Sequence, residues 1–351
     1  MARGLRAGSR RPPTASRVYD TYWRFAALRQ DIFHRRVNGE QGPWTSDPVL
    51  LEHRFTNAYR AADRVSQYLI RDVIYEGDQD PAEVVFRILL FKLFNKIETW
   101  QLLVDEVGQP EVGGFSVDDY DRVLTTAFQR GQRIYSAAYI MPAALPGVAR
   151  KHRTHLLLLQ QIIEDKLADR LASCVTMGEG YELLKSYRGI GAFLAYQLIT
   201  DLNYSIVLNF TEMEFVVPGP GAASGLAKCF TDPGDYSPAE LIRYVTERQH
   251  EEFSQRDLGF DDLWGRPLQL IDCQNLFCEV DKYSRVVHPD VLGIGARSRI
   301  KQRFAASLEP LAVWFPPKWN INGRITAQSI SAPTQLCEPA DQQPPVHALS
   351  H

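Results

Sequence analysis

The chain has 351 residues, is 45% hydrophobic and 23% charged, and carries a net charge of −3. That is ordinary globular composition, long enough to bury a large core in one big domain or two. The weak acidic balance excludes a globally basic nucleic-acid binder, and the lack of an apolar run of about 18 residues excludes a transmembrane helix.

Residues Met1 to Arg17 are basic and rich in Arg, Gly, Ser and Pro. No apolar stretch follows, so they are no signal peptide. They read, up to residue 18, as a disordered tail that touches phosphates, with a transit peptide as the alternative. Residues 326–351 read as a second disordered tail, being rich in Ser, Pro and Gln. Between them, 19–325 reads as one helical catalytic domain. Five scattered cysteines, Cys174, Cys229, Cys273, Cys278 and Cys337, form neither a disulfide framework nor a zinc pattern. A reducing cytoplasm fits them best.

The pattern predicts an amphipathic helix from Tyr19 to Val37 with an aromatic face, Tyr22, Trp23, Phe25 and Phe33. Helical segments follow at Pro48–Arg71, with two breaks possible, Pro81–Trp100, Val117–Gln132 behind a Ser116 cap, His152–Ala172, Tyr181–Leu202, Pro238–Gln255 and Pro267–Tyr283. Only Ser205–Leu208 and Glu214–Val217 suggest short β segments. The fold class is all-α.

Within Tyr181–Leu202, Gly189-Ile190-Gly191 interrupts the helical pattern. Two glycines around one aliphatic residue make a tight connection between helices. They leave the first amides of the second helix, from Ala192, facing outward, an arrangement suited to a phosphate. We read a helix-hairpin-helix that binds DNA through Gly189, Ile190, Gly191 and Ala192; an ordinary helical corner is the bland alternative.

Three further clusters carry candidate chemistry. On one helix, Asn57, Arg60, Arg64 and Gln67 would share a face, with Asp63 beside them. Paired guanidiniums suit a phosphate, and Asn and Gln suit a base edge; a solvated face with Arg60 paired to Asp63 is the alternative. The segment Asn209–Lys228 holds Pro218-Gly219-Pro220-Gly221, a helix start near Ala222, and Lys228 within reach of a phosphate. It does not satisfy Gly-x-x-x-x-Gly-Lys-Ser/Thr, and neither does any other segment. Glu212 and Glu214 precede it as possible bases or metal ligands, or as plain surface carboxylates. In Leu276–Arg285, Asp281 adjoins an apolar run and could turn inward beside Lys282; a charged face is again the alternative.

With Thr21-Tyr22-Trp23-Arg24-Phe25, Pro43-Trp44-Thr45, Phe55-Thr56-Asn57 through Gln67-Tyr68, Arg188-Gly189-Ile190-Gly191, Pro218-Gly219-Pro220-Gly221-Ala222 and Glu279-Val280-Asp281-Lys282-Tyr283, the sequence resembles one family. It is the alpha-glutamyl/putrescinyl thymine pyrophosphorylase group, whose domain is also called the 5-hydroxymethyluracil DNA kinase helical domain. The likeness spans about Tyr19 to Arg324. It implies a fold like that of helix-hairpin-helix DNA glycosylases. It also implies DNA base hypermodification, in which phosphorylated 5-hydroxymethyluracil loses its activated group to an amino acid or polyamine. Such a glycosylase carries an aspartate beyond its hairpin; here that region reads Pro218-Gly219-Pro220-Gly221, which disfavours base removal.

The roles implied on this chain are as follows. Arg60, Arg64, Lys228 and Lys282 hold the pyrophosphate, and Asp63, Glu214 or Asp281 accepts a proton from the amine. Asn57, Gln67, Tyr196 and Trp23 bind the base. No residue is assigned to a metal; Mg2+ would travel with the pyrophosphate. The partners expected are DNA, the amine and a separate 5-hydroxymethyluracil DNA kinase, with no membrane. A base-excision glycosylase and a non-catalytic DNA-binding partner of the kinase are the rival functions.

Overall fold

A computed structural model describes residues 10–138, 141–295, 297–305, 311–325 and 333. The chain opens with strand β1 (Thr14–Ala15), which pairs antiparallel with β2 (Phe230–Asp232). The expected tail therefore starts its ordered course earlier than residue 19. Arg10 pairs with Glu240, and Arg11 with Asp232 and Asp235, so basic residues that sequence assigned to phosphates are engaged by acidic side chains of the same chain. Residues 1–9, and all of the expected C-terminal tail except Pro333, lie outside the described residues.

Helix α1 (Arg17–Val37) starts where Ser16 accepts a hydrogen bond from the Val18 amide at 3.0 Å. Its aromatic face is buried as the periodicity predicts. Trp23 is wholly inaccessible, edge-on to Tyr22 and Phe253 at centroid distances of 5.0 and 4.8 Å. Tyr22 in turn meets Phe277 at 4.5 Å, tying α1 to the last long helix.

The stretch Pro48–Arg71 is helical only in pieces, consistent with the expected breaks. Helix α2 spans only Pro48–Glu52, residues 54–57 are irregular, Arg60–Ala62 forms one 3-10 turn, and α3 (Arg64–Tyr68) runs into a π-helical turn, Leu69–Ile74. Helix α4 (Pro81–Phe94) stops at Asn95, which takes a left-handed conformation at φ 50°, so α5 (Ile97–Val107) is a separate helix. Helices α6 (Val117–Gln129), α7 (Lys151–Glu164) and α8 (Leu167–Ala172) follow.

Helix α9 (Met177–Lys185) and helix α10 (Ala192–Leu202) are joined through Gly189-Ile190-Gly191. Ile190 is buried and plugs the corner, while Gly191 and Ala192 are exposed. Gly189 has φ +88°, and a Cβ there would lie 2.6 Å from Ala144 Cα. At Gly191 the same atom would meet open space. Gly189→Ala is therefore expected to cost about 2 kcal/mol or more, and Gly191→Ala under roughly 0.5 kcal/mol. Thermal melts of the two variants check this; equal losses would contradict it.

Helix α11 (Pro220–Cys229) starts at the loop that reads Pro-Gly-Pro-Gly, and is followed by β2, α12 (Pro238–Glu247), α13 (Gln249–Gln255) and α14 (Leu270–Val287). The expected β segments at Ser205–Leu208 and Glu214–Val217 are irregular instead. Helices α11 and α14 approach very closely. A Cβ on Gly225 would fall 2.0 Å from the Phe277 carbonyl oxygen, and one on Gly221 would fall 2.2 Å from Cys278 Sγ. These two glycines, four residues apart on one face, serve helix contact. Helix α14 also packs on α1 and α12.

Candidate functional site

Three of the segments singled out in the sequence meet along α14. The α11 start lies against its residues Gln274 and Cys278. One residue further, Glu279 accepts the Thr56 amide at 3.0 Å, anchoring the irregular segment before the 3-10 turn. The same segment is held from α1: Arg29 donates to the Thr56 carbonyl at 2.9 Å and to Asn57 Oδ1 at 3.0 Å. Asp63 Oδ1 accepts the Asn57 amide at 2.8 Å. Lys282, one turn beyond Cys278, pairs with Glu279 at 2.7 Å and lies over the Phe55 ring at 4.5 Å.

Burial raises the Asp63 carboxyl to about 7, with Glu279 adding to the effect and Arg29 opposing it. The same burial lowers Arg29 to about 10. Asp272, at the start of α14, is raised to about 6, again chiefly by burial. It accepts the Arg60 amide at 2.8 Å and the Gln269 amide at 3.0 Å, bracing the 3-10 turn against α14. Because the folded state holds protons on Asp63 that the unfolded chain has released, stability falls as pH rises toward 7. Asp63→Asn keeps an oxygen for the Asn57 amide and removes the titration. Its melting temperature is expected to vary less than that of the wild type between about pH 5 and pH 8. Parallel pH series for the two proteins would contradict this.

The expected cationic cavity of Arg60, Arg64 and Lys228 is not formed. Arg60 is 3% exposed and its Nη1 contacts Asp201 Oδ1 at 2.7 Å and the Tyr204 hydroxyl at 3.1 Å. Lys92 reaches the other Asp201 oxygen at 3.2 Å, so the pair of cations holds that carboxyl below its ordinary range despite burial. Lys228 belongs to a second buried network: its Nζ donates to the Asp281 and Ser284 oxygens at 2.9 and 3.0 Å. Asp281 itself accepts from Ser224 at 2.7 Å and from Arg285 at 2.5 Å. Arg285 and Ser224 hold Asp281 below the usual carboxylate range against the opposing effect of burial. Asp272 and Asp281 mark the two networks on α14, and nine residues of helix put them about 13 Å apart. Arg64 is exposed on α3. The charges Arg60 and Lys228 carry are therefore already neutralised inside the protein, and Asp281 has no open face for a proton from an amine.

The predicted base contacts are also inward. Gln67 Nε2 donates to the Ala61 carbonyl at 2.7 Å, and its Oε1 accepts the Trp314 amide at 2.8 Å. Asn57 Nδ2 donates to the Ala62 carbonyl at 2.7 Å. These bonds bend the chain through its 3-10 turn, and leave neither side chain a free edge. Tyr196 and Trp23 are 1% and 0% exposed, so neither presents a ring face. Glu214 is exposed, and Glu212 pairs with Arg266 at 2.7 Å. Among the described residues, no three His, Cys, Asp or Glu side chains converge as a metal site, and no helix is long and apolar enough to cross a membrane.

Arg29 and Asp272 were missed in the sequence. Arg29 had a signal: it sits four residues from both Phe25 and Phe33, a cation on an apolar face. Asp272 had none, because its partners come from residue 60 and from its own helix cap.

With this geometry in view, comparison with known proteins locates the chain. Residues 16–307 match the family model described as the helical domain of 5-hmdU DNA kinase. A curated protein of Bacillus phage SP10, a 5-hmdU DNA kinase, is 29% identical over 299 residues, which is 78% of this chain and 46% of the phage protein. The chain thus spans about half the length of that relative. No solved structure matches it. A match that covers α1 through α14 in one continuous span assigns the chain to a family: it belongs to the 5-hmdU DNA kinase helical domain family.

Proposed function

We propose that this chain acts on 5-hydroxymethyluracil in DNA and replaces a phosphate or diphosphate on its 5-methylene with an amino acid or polyamine. The observation that carries the reading is the convergence on α14 of the Thr56–Asp63 segment and the α11 start, whose Gly219 lies against Phe193 in the first turn of α10. In the step, the amine nitrogen bonds to the methylene carbon. The carbon–oxygen bond breaks with its electron pair on the phosphate oxygen, and the ammonium proton passes to a carboxylate. Asp63, raised to about 7, is poised to take that proton near neutral pH. Arg29, whose charge acts on Asp63, offsets the charge of the leaving group in place of Arg60 and Lys228, and Lys282 joins it where the leaving group takes the place of Glu279 as its partner. The first-turn amides of α10 and the hairpin at Gly189–Ala192 hold the DNA backbone.

Phosphoryl transfer from a nucleotide is not part of the reading, since no Gly-x-x-x-x-Gly-Lys-Ser/Thr occurs in the sequence. Base excision is disfavoured because the first turn of α11 carries no acidic residue. The match to 46% of a kinase favours one other reading, a DNA-binding module that serves a separate kinase. The test incubates the full chain with DNA bearing diphosphorylated 5-hydroxymethyluracil and a panel of amino acids and polyamines. Pyrophosphate release together with an aminated nucleoside is expected. DNA binding with no release by any amine would replace the reading with the binding module, and abasic sites would replace it with a glycosylase.

A further inference from the structure

The start of α11 combines helix-end donors with an unused buried acceptor. Gly219 is the N-cap and supplies no capping side chain, and Pro220 has no N–H. The Ala223 amide makes the first bond back, to the Gly219 carbonyl at 2.9 Å. The amides of Gly221 and Ala222 thus lie in the turn that has no intrahelical acceptor. Facing this turn from α14 is Gln274, 2% exposed, whose Oε1 has no hydrogen-bond partner among the described groups. Its Nε2 donates to Asn275 Oδ1 at 3.1 Å, which directs the carbonyl oxygen the other way. That oxygen lies 3.8 Å from where a Cβ on Gly219 would stand. The same position is 2.9 Å from Cε2 of Phe193, the half-exposed ring in the first turn of α10. A buried carbonyl without a donor is costly, and a ligand N–H would remove the cost.

We propose that Gln274 is the specificity-determining residue for the base, reading the imide edge of a flipped thymine-type pyrimidine; this rests on the function proposed above. Such an edge presents one N–H between two carbonyl oxygens. The N–H donates to Gln274 Oε1, and a flanking carbonyl accepts from the Gly221 or Ala222 amide. Phe193, at the hairpin tip, swings from Gly219 to admit the base and supplies a ring to stack on. A cytosine-type base inverts the pattern. Its ring nitrogen is an acceptor and meets another acceptor at Gln274, and its amino group meets the helix-end donors. The lack of a side chain at Gly219 leaves this space to the Phe193 ring and Gln274 Oε1.

The test measures binding of the full chain to duplexes that differ only in one base, 5-hydroxymethyluracil or 5-hydroxymethylcytosine, by fluorescence anisotropy. The wild type is expected to prefer the uracil form by about tenfold or more. Gln274→Met, close in shape but without the acceptor, is expected to bring that ratio near one, by weakening binding of the uracil form and relieving the acceptor-to-acceptor clash with the cytosine form, with a melting temperature no lower than that of the wild type. Gln274→Glu, which keeps an acceptor, is expected to restore the preference and guards against a folding artefact. A Gln274→Met protein that keeps the ratio would overturn the assignment and leave the proposed function standing. A wild type without preference would likewise overturn the assignment, and a wild type with no affinity for DNA would overturn the proposed function with it.

Discussion

Gly225→Ala is expected to cost at least about 3 kcal/mol and to abolish activity with it. The added Cβ would stand 2.0 Å from the Phe277 carbonyl oxygen and 2.6 Å from its carbon, and both are backbone atoms of a long helix. They cannot rotate away, so α11 must separate from α14. Separation opens gaps around Ala222, Leu226 and Phe277, which are all buried. It also moves the first turn of α11 off Gln274, which links the packing defect to loss of function. Gly113→Ala is the control, because nothing lies within 4 Å of its Cβ position. Chemical denaturation of both variants measures the difference, and a Gly225→Ala protein as stable as the control would refute the close approach.

Asp201→Ala is expected to lose about 3–5 kcal/mol, because it strands two buried cations at once. Asp201 is inaccessible, and Arg60 and Lys92 are each no more than 4% exposed. Without the carboxylate, two desolvated positive charges face one another, which is worse than losing a surface pair. The loss propagates to function through Arg60, whose amide is fixed by Asp272 beside the Asp63 turn. The pH sign follows from the lowered pKa. Stability from Asp201 is present above the ordinary carboxylate range and is lost as pH falls through the lower folded value. Wild type and variant should therefore converge in strong acid and differ most near neutrality, with a melting temperature gap of roughly 5 °C there. A gap below about 1 kcal/mol at neutral pH would show that the network does not hold the charge balance described.

The readable parts of this molecule were those fixed by nearby residues. The α1 aromatic face and the Gly189-Ile190-Gly191 corner follow from spacing and from one positive φ, so both were legible. The segment Asn57–Gln67 was not. Its apparent helical stripe dissolves because Glu279, Arg29 and Asp63 capture the backbone of Thr56 and Asn57, and tertiary bonds outweigh local propensity. Lys228 and Asp281 are 53 positions apart in sequence, so their pairing left no trace that would remove Lys228 from the phosphate ligands. The Gly221 and Gly225 spacing was a helix-contact signal hidden inside a segment rich in turn residues. What survives from the sequence is the set of segments; what changes is which side chains in them face the site.

The most direct measurement is photocrosslinking of the full chain to DNA with 5-iodouracil at the target position, followed by peptide mapping. Adducts at Phe193, at Pro218–Ala222 or at Gln274–Lys282 are the expected result. Adducts confined to the groove lined by Trp264, Arg266 and Trp319 would contradict the placement of the base at the junction of α11 and α14.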